Sequence, residues 1–187
     1  PLRPEDHEAV AELTLASYVD GGHIAPDDAY VKTLMDVADR AGRAEVLVAE
    51  VDGEVAGSVV LTPPGSPLAE TSGDGEYEFR MLAVHPRFHR RGVGGALLAE
   101  IVARARAEKG VDAVVLTTMP SMTGAHRMYE RAGFVRVPER DWLLADVVPD
   151  LDPADFRRAP SGIRAQALDR SGALLDDFHL VDGERAV

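Results

Sequence analysis

Two spacings of apolar residues alternate along the chain. In "RPEDHEAVAELTLASYV", Val10, Leu13 and Val19 recur near helical spacing, and Pro4, Glu5 and Asp6 suit a helix start. In "DDAYVKTLMDVADRAG", Tyr30, Val31, Leu34, Met35 and Ala38 form a second stripe, which predicts one helix ended by Gly42. The Val-rich stretch "AEVLVAEVDGEVAGSVVLT" reads instead as two strands joined at Asp52-Gly53, a strong hairpin signal. After the loop "PPGSPLAETSGDG", "EYEFRMLAV" is the next strand. "GGALLAEIVARARAEKG" is an amphipathic helix with Leu97, Leu98, Ile101, Val102 and Ala105 on one face and Gly110 as its stop. "DAVVLTT" is a short buried strand, "TGAHRMYERAGF" a helix ending at Gly133, and "FVRVPERDWLLADVV" begins as a strand. The order ααββ-β-α-β-α-β predicts an α/β fold with a mixed sheet.

From Pro149 onward the signals weaken. The expected organisation is a domain over residues 1–148 and an atypical extension over 149–187. Within the extension, "GIRAQAL" and "GALLDDFHLV" are candidate strands. Three placements are open for it: on the sheet edge, on a second subunit in a homodimer, or nowhere fixed.

Composition narrows the chemistry. Of 187 residues, 45% are hydrophobic, enough for a real core. No apolar run is long enough for a membrane span and no signal segment opens the sequence, so a soluble protein of the cytoplasm is expected. The absence of cysteine excludes disulfides, thiolate metal sites and a cysteine nucleophile. The six histidines show no zinc pattern, because Pro86 separates His85 from His89, and no metal is expected. The net charge of −12 argues against a nucleic-acid interface. The cations that cluster, Arg87, His89, Arg90 and Arg91, suit a small polyanion.

Those cations precede Gly92, Gly94 and Gly95, and a helix follows at once. The first N–H groups of a helix lack internal partners and lie at the positive end of its dipole. Glycines let a ligand approach them, so the turn reads as an anion cradle or, more plainly, as a flexible connection. Its spacing fits neither the dinucleotide fingerprint nor the Walker loop.

"RMLAVHPRFHRRGVGGALL" resembles motif A of the GNAT superfamily of N-acetyltransferases, whose Q/R-x-x-G-x-G/A aligns with His89-Arg90-Arg91-Gly92-Val93-Gly94. His89 departs from the usual Gln or Arg. A shifted register, Arg91-x-x-Gly94-x-Ala96, also fits. "AHRMYERAGF" is similar to the family's A-x-x-x-Y-x-x-x-G-F, giving Ala125, Tyr129, Gly133 and Phe134. The resemblance covers roughly residues 2–137.

It implies a mixed, mostly antiparallel central sheet flanked by helices, with splayed strands that bind acetyl-CoA as co-substrate. The implied cofactor contacts are the backbone of Leu82, Ala83 and Val84 along the pantetheine arm. His89, Arg90, Arg91, Gly92, Val93, Gly94 and Gly95 would lie at the pyrophosphate. The implied activity is acetyl transfer to a primary amine of a small molecule or peptide by direct attack in a ternary complex. The alternative is a non-catalytic acyl-CoA-binding module. Tyr129 matches the proton-donor position and is otherwise a core tyrosine. Glu78 stands where some members carry the general base, with Glu76 on the same face; water is the other route for the proton. Thr117 and Met122 depart from the family's Glu and Asn. The acceptor would meet Tyr18, "DGGHIAPDDAY", the loop before Glu76 and "ERDWLLAD". Asp20, Asp27 and Asp28 could attract an ammonium, although Asp27 suits a helix N-cap better. Trp142 could line a pocket or fill the core.

Overall fold

The computed structural model describes residues 1–143 and 161–167. The chain divides into two compact units, Pro1–Val114 and Val115–Val187. In the first, α1 (His7–Leu15) follows a short 3₁₀ turn at Pro4–Asp6, and α2 (Tyr30–Met35) and α3 (Val37–Arg43) precede the hairpin of β1 (Glu45–Val51) and β2 (Glu54–Thr62). β3 (Glu76–Val84) and α4 (Val93–Ala107) complete it. β1 pairs antiparallel with β2, and β2 with β3. The hairpin turns at Asp52 and Gly53, both with positive φ (55° and 81°), as the Asp-Gly pair predicts.

The second apolar stripe makes two helices, not one. At Asp36 ψ swings to 71°, and the Asp36 carboxylate accepts the Asp39 N–H at 2.9 Å, so it ends α2 and caps α3. Leu34 and Val37 are buried, whereas Met35 is exposed. Asp28, not Asp27, bonds the start of α2, accepting the Tyr30 N–H at 2.8 Å. α3 continues through Gly42 to Arg43.

α1 and α4 both pack on β2 and β3. β2 is buried at every position from Ala56 to Thr62, so both of its faces are covered. The α4 stripe of Leu97, Leu98, Ile101, Val102 and Ala105 is buried as the periodicity predicts. Gly57 sets how closely α4 approaches. A Cβ there would stand 2.8 Å from Val93 Cγ1 and 3.0 Å from the Ala83 carbonyl.

The described part of the second unit contains β4 (Ala113–Thr118, which starts at the end of the first), α5 (Thr123–Arg131), β5 (Phe134–Arg136), β6 (Trp142–Leu143) and β7 (Ser161–Ala167). β7 pairs antiparallel with β4, with β5 and with β6. "GIRAQAL" therefore supplies a strand lying between β4 and β5 rather than at an edge. The expected boundary at 148/149, and "GALLDDFHLV", lie outside the described residues. The fold is α/β, mostly antiparallel, with helices flanking the sheet. Among the described residues no helix is long and apolar enough to cross a membrane, and no group of three His, Asp or Glu is placed to hold a metal ion.

Candidate functional site

The turn ahead of α4 is built from two left-handed residues. Gly92 has φ +83° at the N-cap position, and Arg90 has φ +63°, a strained value for a side chain with a Cβ. Ala96 N–H bonds to the Gly92 carbonyl at 2.9 Å, so the amides of Val93, Gly94 and Gly95 precede the helical ladder. A Cβ at Gly92 or Gly95 would meet nothing within 4 Å, so nothing among the described residues crowds these two positions.

The cations divide by role. Arg87 pairs with Glu54, and Arg91 with Asp52 at 2.9 Å, which ties the turn to the β1–β2 hairpin. Both guanidinium groups lie over the Phe88 ring, at 4.7 and 5.5 Å from its centroid. Arg90 is exposed and has no ion-pair partner among the described residues. His89 reaches back to β3, its Nε2 lying 3.1 Å from the Val84 carbonyl oxygen. That contact gives the unusual histidine a local task, clipping the turn to the strand.

β3 contains a bulge. Ser58 faces Ala83 while Val60 faces Arg80, so Met81 and Leu82 together oppose Val59. Met81 takes φ +51° there. Leu82, Ala83 and Val84 follow directly, Ala83 buried and its neighbours half-buried.

The two strand carboxylates hold a loop. Glu78 is 1% exposed. Its Oε2 accepts the backbone N–H groups of Glu70, Thr71 and Ser72 at 3.0, 3.0 and 3.1 Å, and its Oε1 accepts the Thr71 hydroxyl at 3.0 Å. A buried carboxylate is tolerated when it is surrounded in this way. Glu76 accepts the Gly73 N–H at 2.7 Å. Arg80 adds a third tie, donating to the Leu68 carbonyl at 2.9 Å and pairing with Glu70 at 2.6 Å. The sequence singles out both glutamates but not the donors, which come from the loop.

A cavity of about 350 Å³ lies beside the bulge. Arg40 from α3, Leu68 and Glu70 from the loop, and Arg80 and Met81 from β3 are among its walls. Arg40 is 3% exposed; its Nη1 donates to the Leu34 and Thr33 carbonyls at 2.6 and 3.1 Å, and its Nε has no hydrogen-bond partner among the described residues. Burial holds its pKa below the ordinary arginine value, an effect that Tyr30, Tyr18 and Asp36 oppose.

In the second unit, α5 carries Tyr129. The residue is buried, its ring lies 5.9 Å from that of Phe134, and burial raises the phenol pKa above the ordinary value. Gly133 ends this segment at φ +88°. Met122, where the family has Asn, precedes α5, and its sulfur accepts a weak bond from the Thr118 hydroxyl at 3.6 Å.

Comparison with known proteins bears on the family and the fold. Over 142 residues the chain is 38% identical to mycothiol acetyltransferase of Kineococcus radiotolerans, a match covering 74% of this chain and 42% of that protein. The match thus spans less than half the length of that relative. A GNAT-family acetyltransferase of Staphylococcus aureus Mu50 shares the fold with a TM-score of 0.62 at 15% identity, covering 89% of this chain and 94% of that one. PaiA N-acetyltransferase of Thermoplasma acidophilum, solved with coenzyme A, gives 0.62 at 17% identity with the same coverage of 89% and 94%. Residues 7–134 match the model described as the acetyltransferase (GNAT) family. That span includes the left-handed turn, the β3 bulge and the Tyr129 helix, and the chain belongs to this family.

Proposed function

We propose that the protein is an acetyl-CoA-dependent N-acetyltransferase acting on a primary amine of a small molecule or peptide, by direct attack in a ternary complex. The observation that carries this reading is the turn ahead of α4. Two left-handed residues set the first helix amides, which precede the helical ladder, beside Arg90, a cation without an ion-pair partner among the described residues, and the space at Gly92 and Gly95 is clear. Such a concavity suits a pyrophosphate. Arg90 to Gly95 would hold it, with Arg91 fixing the turn and His89 clipping it to Val84. The pantetheine arm would lie along the backbone of Leu82, Ala83 and Val84, as extended ligands do on strands.

In the reaction the neutral amine nitrogen bonds to the acetyl carbonyl carbon and the carbon–sulfur bond breaks. Tyr129 serves the departing sulfur. A phenol near pKa 10 or above is a weaker acid than a thiol at about 8.5, so full proton transfer to the thiolate is uphill. The phenol acts first as a hydrogen-bond donor to the developing charge, and its raised pKa keeps that proton in place at neutral pH. Glu78 enters as the anchor of the loop before β3, because three amides and a hydroxyl already occupy its oxygens. The amine's proton leaves through water.

The test is thiol release from acetyl-CoA across a panel of amines, with the acetylated product identified by mass. Tight coenzyme A binding with no transfer to any amine would refute this reading and leave an acyl-CoA-binding module of the same fold.

A further inference from the structure

We infer that the cavity beside the β3 bulge binds a carboxylate on the acceptor, with Arg40 as its counter-charge, so that the substrates are amines of the amino-acid type. The inference rests on the acetyltransferase reading above.

Charge is the first argument. Four cations and three carboxylates line the cavity. Arg43 pairs with Asp39 at 3.1 Å, and Arg80 with Glu70 at 2.6 Å. Asp36 is engaged in capping α3. Lys32 is exposed to solvent. Arg40 is left: it is 3% exposed and, among the described residues, it has no ion pair and its Nε–H no acceptor. Arginine stays protonated in proteins, so this is a buried charge. Buried charges are ordinarily paired, and a buried donor is ordinarily satisfied. The two backbone carbonyls at Nη1 meet only part of that demand. A ligand carboxylate in the cavity that Arg40 lines would supply the missing counter-charge.

The rest of the cavity selects among anions. One positive charge is unmatched, which suits a monoanion; a phosphate dianion would bring its second charge against Glu70 and Asp36. Pro67, Leu68, Val60 and Met81 offer an apolar surface for a short carbon stem. A volume of about 350 Å³ is at the small end of ligand sites, the size for a compact metabolite. Met81 joins the cavity to Leu82 and the strand assigned to the acetyl-CoA arm, so an amine held by its carboxylate would lie near the thioester.

The test uses the full chain saturated with coenzyme A and matched acid and amide pairs: leucine and leucinamide, methionine and methioninamide, γ-aminobutyrate and its amide. Binding is read by calorimetry. At least one acid is expected to bind about tenfold or more tightly than its amide. Arg40→Gln should remove that preference without changing coenzyme A affinity, and Arg40→Lys should restore part of it. Because Arg40 also holds the α2 carbonyls, the wild-type protein supplies a second readout. The Arg40 Nε–H resonance should move on adding the preferred acid and stay with its amide. If no acid binds better than its amide, or that resonance does not move, the inference fails. Acetyl transfer is scored separately. Preferential acid binding without transfer overturns the acetyltransferase reading alone, and equal transfer to acids and amides overturns the carboxylate site alone.

Discussion

Glu78→Gln and Glu78→Ala give opposite outcomes for a loop anchor and for a general base. In the wild type, four donors converge on the Glu78 carboxylate, three of them on Oε2. Glutamine keeps one oxygen for the three amides, and its NH₂ can donate to the Thr71 hydroxyl, which then reverses its role. What is lost is charge assistance, since a hydrogen bond to a charged group contributes about 1.5–3 kcal/mol against about 1 for a neutral one. With imperfect additivity the Gln variant should lose about 2 kcal/mol, a fall in Tm of roughly 4–8 °C for a chain of this size. Alanine leaves three amides unpaired and a void, and should cost roughly twice as much. As an anchor, Glu78→Gln holds kcat within about tenfold while KM for the amine rises. As a base, the same variant would drop kcat by roughly 10²–10⁴. Scanning calorimetry and steady-state kinetics on both variants decide. A Gln variant with native Tm and a hundredfold loss of kcat would refute the anchor.

Tyr129→Phe should lower kcat by about 10–100-fold, the equivalent of one hydrogen bond to developing charge, with coenzyme A affinity unchanged; unchanged turnover would remove Tyr129 as donor. Gly57→Ala should cost about 1–3 kcal/mol, because its Cβ meets the Ala83 carbonyl and Val93. It should also weaken coenzyme A binding by displacing the start of α4, and calorimetric unfolding with ligand titration reads both. Arg90→Gln should weaken coenzyme A binding several-fold at low salt and converge with wild type at high salt, because an exposed guanidinium is screened whereas backbone amides are not; loss of binding at every ionic strength would contradict the backbone cradle. Burial raises the Tyr77 phenol to about 12. A phenol raised above its unfolded value near 10 adds stability that is complete below about pH 10 and is lost as pH rises toward 12. Denaturant unfolding across that window should therefore fall more steeply for wild type than for Tyr77→Phe.

What the sequence made legible was local. Asp52-Gly53 encodes a turn within two residues, and both residues adopt positive φ. The α4 stripe and Gly92 specify a helix and its left-handed start. The break at Asp36 was hidden because the apolar stripe runs through it unbroken, and an Asp inside a helical pattern signals a cap only once its acceptor geometry is known. Gly57 looked like any strand residue, since the atoms that demand glycine belong to α4 and β3. Glu78 was identifiable as a carboxylate of interest, but its employment depends on amides in a loop with no periodic signal. His89 is the converse: its departure from the motif was visible, and its reach of five residues back to Val84 was not.

The donor and acceptor sides of this site differ in kind, and the difference explains which was readable. A pyrophosphate can be held by backbone amides, so its site is encoded by where side chains are absent and by φ values only glycine adopts freely, features that lie contiguous in sequence. An acceptor must be distinguished by side chains, and in the proposed acceptor site they converge from α3, a loop and β3, with Arg40 and Arg80 brought to one cavity by the pairing of β2 with β3 and the packing of the helices. No window of sequence contains that convergence. Its signature is physical instead: a buried guanidinium with no ion pair among the described residues. A buried charge of this kind is tolerated where a ligand matches it, and the proposed site would then discriminate sharply, because an amine lacking the carboxylate leaves the charge unmatched.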